Sequence, residues 1–217
     1  MSNKLNGASF GVLGDSYSTF QGHIPEGNCC YYPRADVDDV LQVEHTWWHQ
    51  LMTKHNMTLL VNDSYSGATV CTNTRDGQPF SSAFTERAKR SFSGENKPDY
   101  IFLFGCTNDS WLERAIGQVK YENRTEEDLK QVLPAYCFCL EYLTTHNPGT
   151  KIIAMVNTGL HKDIHNGIMD AAIHYGVTVV VLDNIDKQHG HPTALGMRQI
   201  AEQVEPALLG NRIFSLV

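Results

Sequence analysis

The chain has 217 residues and a formal net charge of −7, and its 41% hydrophobic and 19% charged residues are typical of a folded protein. We therefore expect residues 1–217 to form a single domain. The acidic charge argues against nucleic acid as a partner, and the short basic cluster at residues 87–90 is interpreted as a solvated helix face. No apolar run reaches the about 20 residues of a membrane span. The N-terminus lacks the apolar stretch of a signal peptide, which predicts a cytoplasmic location.

Apolar segments alternate with segments of helical periodicity, which predicts a β-α-β fold with a parallel sheet. The predicted strands lie at residues 8–13, 58–61, 100–104, 151–156 and 177–182. The predicted helices lie at residues 45–55, 125–146, 164–175 and 192–208. Because the strands are continuously apolar, we expect both faces of the sheet to be buried. Residues 21–43 fit no element, and so long a loop in a compact domain is usually functional.

Four residues suited to acyl transfer lie at or near the ends of predicted strands. Ser16 follows the first strand, Gly67 the second and Asn108 the third. His191 directly precedes the last helix. In an open parallel sheet the carboxyl ends of neighbouring strands meet at one crevice. A serine, a histidine, an amide and a glycine N–H in that crevice would supply a nucleophile, its base and oxyanion donors, so the sequence predicts a serine acyl hydrolase.

Each of these residues also has an ordinary structural explanation when it is taken alone. Ser16 fits a helix N-cap, Gly67 a tight turn, and Asn108 an Asx turn that caps the next helix. His191 is one of ten histidines, and most histidines lie on the surface or in the core. The ordered set at the ends of different strands favours the catalytic interpretation.

In four motifs the chain resembles the SGNH, or GDSL-like, hydrolase superfamily: Gly14-Asp-Ser16, Gly67, Gly105-Cys-Thr-Asn108-Asp and His191-Pro192. The resemblance covers residues 14–196 and implies a flavodoxin-like, three-layer α/β/α sandwich around a five-stranded parallel sheet. It implies that Ser16 is the nucleophile and that His191 is the general base. It also implies an oxyanion hole made of the backbone N–H groups of Ser16 and Gly67 and the amide of Asn108.

The chain departs from the family pattern at the acid of the triad. The family places an Asp three residues before the His, and Gln188 stands there in this chain. We expect a two-residue bulge at 189–190 to bring Asp186 to His191 as the orienting acid, with Asp183 as the second choice. The competing arrangement is a Ser–His pair oriented by Gln188 or by a backbone carbonyl.

A metal site is the rival interpretation of the same stretch. Asp183, Asp186, His189 and His191 carry oxygen and nitrogen ligands at close spacing. No second ligand motif accompanies them, and a metal site would leave the serine and asparagine motifs unexplained. We therefore expect neither a metal nor a cofactor.

The leading functional hypothesis is a serine esterase that cleaves a small ester, such as an acetylated carbohydrate, through an acyl-enzyme. The alternative is a non-catalytic module that binds a carbohydrate or another ligand on the same fold. Tyr31 and Tyr32 of the 21–43 segment are candidates for a pocket wall, whereas Trp47 and Trp48 are interpreted as core residues. A nucleotide-binding function is disfavoured because the chain lacks a glycine-rich phosphate loop.

Overall fold

The sheet brings the ends of five parallel strands to one edge. The computed structural model describes residues 5–95 and 97–210. Its central sheet has the order β2-β1-β3-β4-β5, and all neighbouring strands are parallel. The strands are β1 Ser9–Gly14, β2 Thr58–Ser64, β3 Tyr100–Phe104, β4 Lys151–Val156 and β5 Thr178–Val181. A small antiparallel pair follows them, formed by β6 Lys187–Gln188 and β7 His191–Pro192.

Helices cover both faces of the sheet, which makes the fold the predicted three-layer sandwich. The helices are α1 Trp47–His55, α2 Phe84–Ser91, α3 Thr107–Trp111, α4 Val132–His146, α5 Lys162–Tyr175 and α6 Ala194–Leu208. Apolar residues of α2, α4 and α5 pack on one face, and those of α1 and α6 pack on the other.

Strand β3 shows how one sequence serves both layers. Its residues alternate between the two faces, so that Ile101 and Leu103 join the core under α4. Phe102 and Phe104 join the opposite core, together with Trp47 of α1. The central strand is therefore apolar at every one of these positions, as expected for a sheet that is covered on both sides.

One predicted helix needs correction, and one helix of the structure was not predicted. The helix predicted from residue 125 begins only at Val132, because Gln131 is extended and Pro134 has no N–H to continue an earlier helix. Thr125 and Asp128 do form the expected capping box, but it closes the short 3₁₀ turn Asp128–Lys130. Helix α2 was not predicted, since its sequence is mostly polar.

The tryptophans and the 21–43 segment behave as the sequence predicts. Trp47 and Trp48 are buried, and their indole N–H groups donate to the hydroxyl and the carbonyl of Ser18. Residues 21–42 contain no helix or strand. Within the described residues, no helix is long and apolar enough to cross a membrane.

Candidate active site

The turn after β1 places the hydroxyl of Ser16 at the carboxyl edge of the sheet. Asp15 caps this turn, because its carboxylate accepts a hydrogen bond of 3.0 Å from the backbone N–H of Tyr17. The side chains of Asp15 and Ser16 are buried. Burial raises the pKa of Asp15 to about 7. A tight, capped turn thus fixes the direction in which Ser16 points.

A buried guanidinium joins the ends of β1 and β2 beneath this turn. Arg87 is fully buried, and its Nη1 donates to the carbonyl of Gly14 at 3.0 Å and to the carbonyl of Asp63. Its Nε donates to the carbonyl of Ser82 at 2.7 Å. The prediction of a solvated helix face is therefore wrong for Arg87, because three backbone carbonyls replace water around its charge.

The imidazole of His191 meets Ser16 across the sheet edge. Its Nε2 lies 3.0 Å from Ser16 Oγ, and its Nδ1 lies 3.2 Å from the carbonyl oxygen of His189. A carbonyl can only accept, so Nδ1 carries the proton and Nε2 is free to accept from the serine hydroxyl. This is the tautomer that a general base needs.

A two-residue hairpin turn creates the contact between His191 and His189. Strands β6 and β7 pair Gln188 with His191, and His189 and Gly190 form the turn between them. Both turn residues have positive φ, 50° at His189 and 80° at Gly190, as a type I′ turn requires. The turn folds the carbonyl of His189 back toward the imidazole two residues later.

Side chains from three other parts of the chain fix the hairpin. The Tyr17 hydroxyl donates to the carbonyl of Gly190 at 2.5 Å, and the Tyr32 hydroxyl donates to the carbonyl of Pro192 at 2.7 Å. The ammonium of Lys187 donates to side-chain oxygens of Asn157 and Thr158 beyond β4, at 3.1 and 2.6 Å. These bonds hold His191 in register with Ser16.

The expected contact between Asp186 and His191 is not formed. The carboxylate of Asp186 instead accepts a short hydrogen bond from the hydroxyl of Thr193, the N-cap of α6. The physical reason is the turn at 189–190, which forms a hairpin rather than the bulge we expected. The carboxylate of Asp186 therefore makes no hydrogen bond to the His191 ring. Asp186 supports the start of α6.

We expect Asp186→Asn to lower kcat by less than about tenfold, against the about 10⁴-fold typical of losing a triad acid. Its main effect should be a loss of about 1 kcal/mol in unfolding free energy, because an amide is a weaker acceptor for Thr193. Ester kinetics and denaturant unfolding measure the two effects, with Asp183→Asn as the matched control. A loss of kcat near 10⁴ would restore Asp186 as the orienting acid.

The other candidate acids and metal ligands also have separate partners. Asp183 accepts from the amide of its neighbour Asn184 at 2.8 Å, and Gln188 is exposed. His191 contacts Ser16, so the four proposed ligands do not converge. In the part of the chain that the structure describes, no group of three or more His, Cys, Asp or Glu side chains could hold a metal ion.

The predicted oxyanion donors Gly67 and Asn108 follow the two strands beside β1. Gly67 follows β2 with a φ of 82°, a backbone conformation that favours glycine. Asn108 follows β3 in α3, and its amide donates to the carbonyl of Ala68 at 3.0 Å. An amide has a second N–H, so this bond orients Asn108 and leaves one donor for a ligand.

Asp109 holds the loop that contains Gly67. Its buried carboxylate accepts from the backbone N–H of Val70 at 2.9 and 3.0 Å and from that of Cys71 at 3.2 Å. Burial raises the pKa of Asp109. Sequence analysis assigned it no role, although its position directly after Asn108 at a strand end was a usable signal.

Aromatic rings surround the imidazole of His191. Tyr31, from the 21–43 segment, stacks on it with 3.6 Å between ring centroids and 8° between planes. Trp111, at the end of α3, presents a second ring at 5.7 Å and is 48% exposed. Tyr17 lies 5.5 Å away. The predicted wall of the site is thus formed by Tyr31, and Trp111 was not foreseen.

The surroundings of His191 favour its neutral form. Burial lowers its pKa to about 4, and the nearby cations Arg34 and Lys187 act in the same direction. The hydrogen bond to the carbonyl of His189 opposes them. At neutral pH the imidazole is therefore unprotonated and able to accept a proton.

A cavity away from the sheet edge lacks such groups. It encloses about 700 Å³ between residues 116–120 and helix α5, with Lys120 paired to Asp128 at its wall. Its lining contains no serine, cysteine or histidine. The groups suited to acyl transfer are at the sheet edge instead.

The fold and this set of groups define an ester hydrolase. The chain belongs to the GDSL-like lipase/acylhydrolase family, whose model matches residues 8–208. It is 36% identical to a candidate GDSL-like lipase from Bacteroides ovatus over 94% of this chain and 99% of the other, with a TM-score of 0.87. A candidate GDSL-like lipase from Bacteroides uniformis gives the same identity and TM-score over 94% and 96%.

A more distant structure shares the fold. A carbohydrate acetylesterase from Sinorhizobium meliloti is 13% identical over 94% of this chain and 99% of the other, with a TM-score of 0.60. A search of curated proteins gave no match. The comparisons confirm the predicted family, the α/β fold and the class of ester hydrolase.

Proposed function

We propose that the chain is a serine esterase that removes a small acyl group, such as acetyl, from a carbohydrate or a similarly small alcohol. The observation that carries the proposal is the 3.0 Å contact between Ser16 Oγ and His191 Nε2, with the proton of the imidazole held on Nδ1. Ser16 is then the nucleophile and His191 the base. Asn108 and the N–H groups of Gly67 and Ser16 are the oxyanion donors.

The reaction follows from these roles in two steps. Ser16 Oγ attacks the ester carbonyl while His191 takes its proton, and the oxyanion forms against Gly67 and Asn108. The tetrahedral intermediate expels the alcohol, which receives the proton from His191, and leaves an acyl-serine. Water then attacks the acyl carbon, with His191 again as base, and the acid and free Ser16 are released.

The carbonyl of His189 takes the place of the triad acid in this proposal. It fixes the tautomer of His191 as a carboxylate would, but it carries no charge to stabilise the imidazolium that forms. Lys187 and Arg34 raise the cost of that imidazolium further. We therefore expect a slower esterase than one with a complete triad, acting best on esters with a good leaving group.

A sugar is a suitable alcohol for this site. Tyr31 and Trp111 offer ring surfaces next to His191, and Trp111 remains half-exposed for contact with a ligand. The acetylesterase from Sinorhizobium meliloti, which shares the fold, acts on a carbohydrate. These observations support a carbohydrate acetyl ester as substrate.

The second candidate function is a binding module that does not catalyse. The observation that favours it is the absence of a carboxylate hydrogen-bonded to His191 in the described residues. A carbohydrate could bind the aromatic rings and the oxyanion donors without being cleaved. The two candidates differ in whether an acyl-enzyme forms.

The test is to incubate the purified chain with 4-nitrophenyl acetate and with acetylated monosaccharides. We expect release of 4-nitrophenol and of acetate, and a mass gain of one acetyl group on the protein after rapid acid quenching. Peptide mapping should place that group on Ser16. Binding of the sugars without acetate release would favour the binding module.

We expect Asn108→Ala to lower kcat by about 10²–10³, with a smaller change in KM, because the lost donor acts mainly on the oxyanion. The variant also removes the bond to Ala68, so its thermal unfolding is measured beside its kinetics. Asn184→Gly, at a surface residue with positive φ, is the control. A change in KM alone would place Asn108 in substrate binding.

The value of kcat/KM should fall only at a pH close to 4. His191 works in its neutral form and burial lowers its pKa to about 4, so activity falls as pH drops through that value. An unperturbed histidine would lose activity near pH 6.5. Measuring kcat/KM between about pH 3.5 and 8 distinguishes the two cases. An acid limb near 6.5 would contradict this description of the His191 environment.

A further inference from the structure

Arg34 is a cation next to the proposed site that forms no ion pair among the described residues. Arg34 is exposed, and its guanidinium lies over the ring of Tyr31, 5.1 Å from the centroid. Tyr31 in turn stacks on His191. Arg34 is therefore connected to the catalytic imidazole through a single aromatic ring.

No carboxylate neutralises Arg34 at close range. Among residues 5–95 and 97–210, no Asp or Glu forms an ion pair with it within 4.0 Å. Asp38 interacts electrostatically with Arg34, but that carboxylate accepts hydrogen bonds from the backbone of Val40 and Arg34. One hydrogen bond of the guanidinium goes to the Tyr31 hydroxyl, and the remaining N–H donors are open to a ligand.

The local charge is opposite to that of the whole protein. The chain has a formal net charge of −7, yet both charged groups that act on His191 are cations, Arg34 and Lys187. Lys187 is half-buried and bonded to Asn157 and Thr158. Arg34 is consequently the cation on the Tyr31 side of His191 that a ligand can reach, whereas Arg75 lies beside Gly67.

The proposed reaction indicates which part of the substrate lies next to His191 Nε2. In the proposed mechanism His191 returns its proton to the leaving alcohol, so that oxygen must come close to Nε2. The oxyanion donors Gly67 and Asn108 follow β2 and β3, whereas Tyr31 and Arg34 belong to the 21–43 segment. Tyr31 stacks on His191, and we assign its side of the imidazole to the alcohol.

We propose that Tyr31 and Arg34 form a subsite for an anionic group on the alcohol, so that the natural substrates are acyl esters of acidic alcohols such as sugar acids. The ring of the alcohol packs beside Tyr31 and its carboxylate binds the guanidinium, a pairing for which Arg is well suited. This inference rests on the proposed esterase activity and narrows its substrate class.

The test compares two acetate esters that differ in the charge of the alcohol, 4-acetoxybenzoate and its neutral amide 4-acetoxybenzamide. The rates at which hydroxide hydrolyses the two esters without enzyme correct for the difference in reactivity between their leaving groups. The wild type should prefer the anionic ester in kcat/KM by at least about tenfold, the factor of one charge-assisted hydrogen bond. Added salt should reduce this preference, because an exposed charge contact is screened.

The variants separate Arg34 from the general charge of the protein. Arg34→Gln should bring the ratio of the two kcat/KM values close to one, and Arg34→Lys should keep part of the preference. Arg198→Gln, at an exposed arginine of α6 that pairs with Glu202, should leave the ratio as in the wild type. An equal ratio in wild type and Arg34→Gln would overturn the proposal.

Two further measurements keep the outcomes distinct. A phenyl monoester of adipic acid carries its anion on the acyl side, and a stronger dependence of its hydrolysis on Arg34 would overturn the assignment to the alcohol.

If no ester is cleaved, the esterase function fails, and calorimetric titration of 4-hydroxybenzoate against wild type and Arg34→Gln still tests the subsite. Equal affinity in that titration would overturn the subsite as well.

Discussion

Ser16→Ala is expected to lower kcat for 4-nitrophenyl acetate by about 10²-fold or more. The loss should be smaller than the about 10⁶-fold that follows removal of the nucleophile from a complete triad, because the wild type has no orienting carboxylate. Without Oγ no acyl-serine can form, and His191 loses the hydroxyl that lies 3.0 Å from Nε2. The side chain is small and buried in a turn that Asp15 caps through the backbone, so the fold should persist. Steady-state kinetics and a thermal unfolding curve check both statements.

Ser18→Ala is the matched control for that variant. Ser18 lies in the same turn, but its hydroxyl accepts from the indole of Trp47 at 3.2 Å and does not contact His191. We expect the variant to keep its esterase activity and to lose about 1 kcal/mol of stability, since a buried indole N–H loses its acceptor. A fluorophosphonate probe should label the control and spare Ser16→Ala. Undiminished turnover by Ser16→Ala would refute its role as nucleophile.

The layers of the fold were predictable because strands that are buried on both faces are continuously apolar in sequence. Strand β3 and residues 152–156 of β4 are unbroken apolar runs, and Gly105 and Asn157 directly follow them. Helix α2 was missed because its inward face is partly polar: Arg87 is buried on backbone carbonyls, which no periodicity of apolar residues reveals. Tertiary contacts determine that helix.

The strand-end rule also predicted that Ser16 and His191 come together. Ser16 and His191 are 175 positions apart in the chain, and the structure brings them into contact. Asp186 was misassigned because spacing alone does not distinguish a bulge from a two-residue hairpin at 189–190. That choice depends on the pairing of β6 with β7, a contact between strands of only two residues each.

The 21–43 segment shows where sequence reasoning ends. Its length predicted a functional loop, and Tyr31 of this segment stacks on His191. Nothing in the sequence placed Arg34 over that ring, because irregular loops have no repeat from which the direction of a side chain follows. The subsite proposed for acidic alcohols therefore depends on the structure.

His191→Ala is expected to lower kcat by about as much as Ser16→Ala, because the two groups act as a unit. The serine hydroxyl then has no acceptor for its proton at 3.0 Å, and the leaving alcohol has no donor. The double variant Ser16→Ala/His191→Ala should be scarcely slower than either single variant. Additive losses would show that His191 acts independently of Ser16.

His189→Asn is the control that separates a backbone role from a side-chain role. The acceptor for His191 Nδ1 is the carbonyl of His189, and its own imidazole is exposed. Asparagine keeps that carbonyl and tolerates the φ of 50° at this position, so the variant should turn over ester at close to the wild-type rate. A large loss of kcat would mean that the side chain of His189 takes part, and the orientation of His191 by a backbone carbonyl would have to be abandoned.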